Sequence, residues 1–337
     1  MNKSRPDPAN RRALLGLAML ALMNVQPATA QSSGAASNYP NRAIKLVVPY
    51  NPGGVADSLG RSLAEGIKKE LGQPVIVDNR AGANTAVGAA AVAKSPADGY
   101  TILLVTPATL ILNPLLMPQL SYKPEELTEI YNVATTPIAL SVKTDGPVND
   151  FNGLLNAIRK ANGAAAFSST GIGSSTHLAG ELLQMETKTQ MIHAPYNGSG
   201  PALTAVMAGE VLLSSDSMAS AIAMYPGQRI KPIAVTSKKR AQALPNVPTL
   251  YELGLKSFDV STWYGIVAPA KTPADVLAKL HGAIAKTVAN DDFIKRFSAQ
   301  GLEIQPTHTP ADFKAFVQRE RSLWQPVIKE KNIQVGN

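Results

Sequence analysis

The residues with the clearest chemistry follow the first apolar run after the N-terminal region: Pro49-Tyr50-Asn51-Pro52-Gly53-Gly54-Val55-Ala56-Asp57. A strand stopped by a proline, a glycine turn and a helix start leave unpaired main-chain N–H groups and the positive end of a helix dipole facing the turn. Both favour an anion. Gly53 and Gly54 allow a carboxylate to reach the main chain without a Cβ in its path. Tyr50, Asn51, Val55 and Ala56 complete this candidate ligand-binding loop. Asp57 fits first as a first-turn or capping acid. In a cleft its charge would repel a carboxylate unless a water or a donor on the ligand intervened.

A second strand–helix junction runs Ser169-Thr170-Gly171-Ile172-Gly173-Ser174-Ser175-Thr176-His177. Its glycines, hydroxyls and helix start could hold a carboxylate with neutral donors alone, which makes Ser169, Thr170, Gly171, Gly173, Ser174, Thr176 and His177 candidates. An ordinary N-capped turn is the competing reading, with Ser174 or Ser175 as the cap. Thr176 occupies the place of the third glycine in the dinucleotide fingerprint, so that motif is not met. Asn84 and Thr85 open another helix, Thr106 and Thr109 form a polar break after an apolar strand, and Tyr196 and Asn197 lie in a glycine loop. Asp216 follows a further strand. Arg80 is the one base in these loops, and a structural ion pair would explain it equally well.

The whole chain narrows the choices. Lys3, Arg5, Arg11 and Arg12 precede the apolar run 13–23, and Ala28-Thr29-Ala30 is a small-residue cleavage pattern, so residues 1–30 read as a cleaved signal peptide and the mature protein as exported. Removing four bases and one acid lowers the formal net charge from +8 to about +5. The remaining bases are scattered and few aromatics interleave them, which excludes a nucleic-acid footprint. The chain has no cysteine, hence no disulfide, thiolate metal site or cysteine nucleophile. No H-E-x-x-H, G-x-S-x-G, S-x-x-K or P-loop lysine occurs, and the histidines are dispersed, so neither a metal site nor a cofactor is expected.

The elements that must position these loops alternate strand and helix. Strands are expected at 44–49, 75–77 and 101–105, with helices at 57–71 and 85–94 between them; this βαβαβ order implies a parallel sheet. A second such unit spans helix 151–161, strand 164–168, helix 174–186, strand 190–196, helix 201–208, and strands 211–214 and 230–236. Extended passes at 133–142 and 259–268 join the units, and helices follow at 273–290, 292–300 and 310–328. Ligands in such sheets sit beyond the carboxyl ends of the strands, where every candidate loop falls.

The Pro-x-Gly-Gly-x-x-Asp loop, Arg80-Ala81-Gly82-Ala83, Ala97-Asp98-Gly99-Tyr100, the 169–178 loop and Ala194-Pro195-Tyr196-Asn197-Gly198-Ser199-Gly200-Pro201 together resemble the Bug receptors. These are the extracytoplasmic solute-binding proteins of tripartite tricarboxylate transporters. Leu244-Pro245-Asn246-Val247-Pro248-Thr249 and Trp263-Tyr264-Gly265 extend the likeness over the mature chain. The resemblance implies an α/β, two-domain type II periplasmic binding-protein fold with a ligand cleft between the domains and two hinge strands. Domain 1 would comprise 39–140 plus 262–337, and domain 2 would comprise 141–261. It implies a monomeric receptor that closes on a small carboxylate and delivers it to membrane permease subunits, without enzymatic activity. The carboxylate would be an aromatic mono- or dicarboxylate such as terephthalate, an aliphatic di- or tricarboxylate, or an acidic amino acid. A secreted α/β hydrolase or lyase acting on a carboxylate is the alternative from another class.

Overall fold

Apolar five-residue strands set the frame. In the computed structural model, which describes residues 38–305 and 309–335, β1 (Ile44–Val48) pairs in parallel with both β2 (Val75–Asn79) and β3 (Thr101–Val105). The expected signal segment lies outside the described residues. Helices α1 (Val55–Leu71) and α2 (Ala86–Ala93) make the crossovers. The period-two alternation of the strands splits their side chains between two layers. Leu46, Val48, Ile102 and Leu104 pack with the Leu59, Leu63 and Ile67 stripe of α1, while Val47, Leu103 and Val105 pack with Ala86, Ala89 and Val92 of α2. Gly60 lets α1 lie close on the sheet, since a Cβ there would come within 2.7 Å of Val48 Cγ2.

The expected polar break at 106–109 instead begins a buried π-helical turn, Ala108–Leu112, continued by a short helical turn at Asn113–Leu116. Leu110, Ile111, Leu112 and Leu116 all enter the core, and their burial outweighs the turn preference of the threonine–proline sequence before them. The expected pass at 133–142 is longer than read: β4 covers Leu127–Lys143.

Beyond β4 come α3 (Phe151–Lys160), β5 (Ala166–Ser169), α4 (Ser175–Thr187), β6 (Ile192–Pro195), α5 (Ser199–Ala208), β7 (Leu213–Ser217) and β8 (Ile230–Val235). β5 pairs in parallel with β6 and β7. The chain returns through β9 (Ser261–Pro269) to α6 (Ala274–Val288), α7 (Asp291–Ser298), the short β10 (Glu303–Ile304) and α8 (Pro310–Glu330).

The strand order is β2-β1-β3-β9-β4-β7-β5-β6, with β8 and β10 also on β4. β4 is shared: Leu127–Pro137 pairs antiparallel with β9, whereas the segment from Ile138 onward pairs with β7 and β8. The sheet is therefore mixed, with a parallel group on either side of the long antiparallel pass. This α/β arrangement sets the ends of β1 and β3 opposite those of β5 and β7. No helix among the described residues is long and apolar enough to cross a membrane.

Candidate functional site

Between these strand ends lies a cavity of about 630 Å³. Helix starts reach it from both sides, those of α1, α4 and α5, and Thr85, the residue that opens α2, lines it as well. None of its lining residues is Lys, Arg, His, Asp or Glu; the wall combines hydroxyls, amides and glycine main chain with apolar surface from Pro49, Pro52, Val55, Ala56, Ala81 and Ala108.

At the first start, Gly54 caps α1 with extended backbone and no side-chain cap. The first main-chain bond of the helix is Ser58 N–H to Gly54 O at 3.0 Å, so the first-turn amides before it have no partner within the helix. Asp57 turns away from the cavity. Its carboxylate accepts from Gly53 N–H at 3.0 Å, from Asn79 Nδ2 at 3.0 Å and from Arg61 Nε at 3.0 Å. Arg61 first, then the Gly53 and Asn79 bonds, hold this acid below its ordinary range against the opposing effect of burial. The repulsion that Asp57 would impose inside a cleft is thus neutralised behind the loop. Tyr50 closes the near wall with its hydroxyl 2.8 Å from Thr106 Oγ1, and burial pushes the phenol up to about 12.

The second start is built from hydroxyls. Ser174 caps α4 by accepting from His177 N–H at 3.1 Å and donates to Gly171 O at 2.7 Å. Thr170 and Thr176 are joined at 2.8 Å through their hydroxyls. His177 lies beneath the loop, its Nδ1 accepting from Gly173 N–H at 3.2 Å, which places the ring proton on Nε2, facing Glu181 at 3.7 Å. The ring stacks on His193 with centroids 3.8 Å apart.

Asn84 and Thr85 form the third wall under backbone strain: with Ala83 they hold φ values of 44° to 80°. For a β-branched threonine this is an outlier, and such strain persists only where surrounding bonds over-determine it. Asn113 supplies them, accepting from Asn84 Nδ2 at 2.9 Å and donating to Asn84 O at 2.6 Å, while Thr85 Oγ1 lies 3.0 Å from Thr109 Oγ1.

Of the residues expected from sequence, Tyr50, Asn51, Gly54, Val55, Ala56, Asn84, Thr85, Thr106, Thr170, Ser174, Thr176 and Asn197 line the cavity together. Gly53, Asp57, Thr109, Ser169, Gly171, Gly173, His177, Tyr196 and Asp216 lie outside the lining. Thr109 braces Thr85, and Asp216 accepts from Ser199. Arg80 is absent from the lining and pairs with Asp78 at 2.8 Å. The lining also includes Ser175, Ser199, Gly200, Ser217, Ser220, Thr262 and Tyr264, which were not among the expected residues. The glycines flanking Ser199 were a usable signal for it. Tyr264 and Thr262 carried none, because the cavity-facing side of β9 is set by its pairing with β4.

A wider groove of about 1080 Å³ lies between α1, α6 and α7. Its wall carries Arg61, Lys68, Lys69, Lys286, Arg296, Glu65, Glu70 and Asp292, and Lys286 pairs with Glu70 at 3.2 Å. Bases and acids stand side by side across this open surface, and the helix start that borders it, that of α7, is already capped by the Asn290 side chain, which accepts from Asp292 and Phe293 N–H.

The hydrolase alternative has one geometric candidate, Ser169 Oγ at 2.7 Å from His193 Nε2. Ser169 has no exposed surface and lies outside the cavity, so substrate cannot reach it. Burial and the neighbouring His177 push His193 down to about 4, which makes it a weak base. Among the described residues no cluster of histidine and acidic side chains could hold a metal.

The model of the tripartite tricarboxylate transporter family receptors matches residues 59–333. The chain belongs to this receptor family. Three solved structures share its fold over nearly their whole length. Rpa4515 of R. palustris, crystallised with adipate, is 31% identical with a TM-score of 0.81, covering 88% of this chain and 99% of its own. The periplasmic binding protein BugD is also 31% identical, with a TM-score of 0.78 and the same coverage. MatC of Rhodopseudomonas palustris, with bound malate, is 28% identical with a TM-score of 0.77 over 86% of this chain and 100% of its own. The receptor thus has the α/β fold of periplasmic binding proteins. Its family and structural neighbours are solute-binding receptors, and it is a receptor of that kind and not an enzyme.

Proposed function

We infer that the receptor captures a small aliphatic dicarboxylate. The observation that carries this reading is a charge-free cavity reached by helix starts from both parallel groups of the sheet, so that each end of a di-acid can meet main-chain N–H groups and hydroxyls. The adipate and malate bound by Rpa4515 and MatC support the same chemistry. Neutral donors at helix ends bind anions without the desolvation cost of a buried cation.

The two-domain division at 39–140 plus 262–337 and 141–261 belongs to this reading. β4 and β9 would act as the hinges, supported by the change of partners along β4. Closure would present a combined surface to membrane permease subunits, with the protein acting as a periplasmic monomer after removal of residues 1–30.

A melting panel of the signal-free protein tests the ligand class. At about a hundredfold excess over Kd, a ligand of the folded state adds about 2.7 kcal/mol of stability. Adipate, malate and succinate should raise the melting temperature, and adipamide, which lacks the anions, should not. Stabilisation by sugars or amides and by no carboxylate would refute the reading.

A further inference from the structure

Behind the cavity wall lies an ionisable group that neutral anion recognition does not require. Asp216, on β7, has no exposed surface. Its Oδ1 accepts the Ser199 hydroxyl at 2.7 Å and its carboxyl accepts the Ser217 main-chain N–H, while Oδ2 has no hydrogen-bond partner among the described residues. Among the described residues no cation contributes to its surroundings. On the neighbouring strands Ala139 of β4 is its register partner, and Ser168 of β5 pairs with the nearby Ser214. The titratable groups that feel its charge are the phenols of Tyr225 and Tyr264, both held protonated by burial. A carboxylate buried without a counter-ion favours its neutral form, and burial lifts this one to about 7.

Ser199 connects this group to the cavity, since it opens α5 and lines the wall. An ionised Asp216 accepts the one hydroxyl proton of Ser199, leaving only lone pairs to face a ligand. A protonated Asp216 donates its own O–H to Ser199 Oγ, and the serine hydroxyl is then free to donate into the cavity. One proton therefore changes the wall from acceptor to donor and removes a negative charge from beneath it.

We propose that carboxylate capture here is proton-linked: Asp216 takes up a proton from solvent as the anion binds, and Ser199 becomes a specificity-determining donor to that anion. No bond of the ligand changes; the proton passes from water or buffer to Asp216 Oδ1. The proposal rests on the cavity being a carboxylate site.

Titration calorimetry with adipate and with malate, on the signal-free protein between about pH 6.5 and about pH 8.5, tests it. Both acids are essentially fully ionised over this range, so their own titration contributes little. Running each titration in buffers of different ionisation enthalpy counts the protons taken up. For the unsubstituted protein, uptake should approach one proton per ligand at the alkaline end, and Kd should rise close to tenfold over the last pH unit. Asp216→Asn, whose amide can donate to Ser199 at every pH, should bind with a flat profile and no proton uptake. If that variant does not fold, the proton count on the unsubstituted protein decides alone. Equal affinity across the range without proton uptake would overturn the proposal and leave the carboxylate reading intact, as would an Asp216→Asn variant that keeps the original pH profile. Absence of binding by either acid at every pH, with no other carboxylate shifting the melting curve, would sink the reading of the cavity and the proposal with it.

Discussion

Gly54 separates recognition by main-chain amides from recognition by a side-chain cation. Its backbone, at φ −86° and ψ 179°, suits any residue, and an added Cβ meets no heavy atom within 4 Å. Gly54→Val should therefore fold, losing at most about 1 kcal/mol from the cap position. Because Gly54 lines the cavity, the new side chain would stand where a carboxylate approaches the first turn of α1. Two hydrogen bonds from amides to an ionised oxygen contribute about 1.5–3 kcal/mol each, so losing both costs about 3–6 kcal/mol, or roughly 10²- to 10⁴-fold in Kd. Gly53 makes a poorer probe, because its φ of +92° strains any other residue whether or not a ligand binds. Arg80→Ala is the control, since Arg80 lies outside the lining and pairs with Asp78. Calorimetry with adipate, paired with thermal melts, reads binding and folding separately. Normal binding by Gly54→Val together with loss of binding by Arg80→Ala would refute the neutral-donor picture.

Two further outcomes follow from the bracing around the cavity and from the core. Asn113→Ala leaves Asn84 O and Nδ2 without their partner, and should lower stability by about 1–3 kcal/mol and weaken adipate binding, as urea midpoints and calorimetry would show. Binding unchanged in this variant would mean that the strained 83–85 segment does not position the ligand. Glu320, buried beside Trp263 and Trp324, is pushed up to about 7 by burial. Its folded form holds a proton that the unfolded form releases, so the Glu320 contribution to stability falls as pH rises from about 4 to about 7 and then levels, adding to the like contribution of Asp216. Glu320→Gln should remove that loss, stabilising the protein by about 3 kcal/mol at alkaline pH and by nothing below about pH 4. Melts that stay parallel for both proteins across this range would contradict it.

The strand–turn–helix junctions were legible in the sequence because their signals are local. Pro49 stops β1, Gly54 opens α1, Gly72 closes it in the left-handed region at φ 71°, and Ser174 caps α4. The same locality revealed both parallel groups and the two extended passes, since apolar alternation is a property of neighbouring residues. Which side of each loop faces the cavity was decided only when the strands paired. Asn51 and Asp57 belong to one strand–helix junction, yet Asn51 lines the cavity while Asp57, in the first turn of α1, is drawn behind it by Arg61 one helical turn further on and by Asn79 at the end of β2, which only strand pairing brings near. Tyr264 becomes cavity wall and Trp263 core because β9 has one register against β4. His177 and His193, dispersed along the chain, stack face to face because β5 and β6 are adjacent and α4 lies over them. Sequence thus determined the local donors, since backbone conformation there depends on neighbouring residues. Tertiary structure decided which donors converge, since register and packing arise from contacts between distant segments.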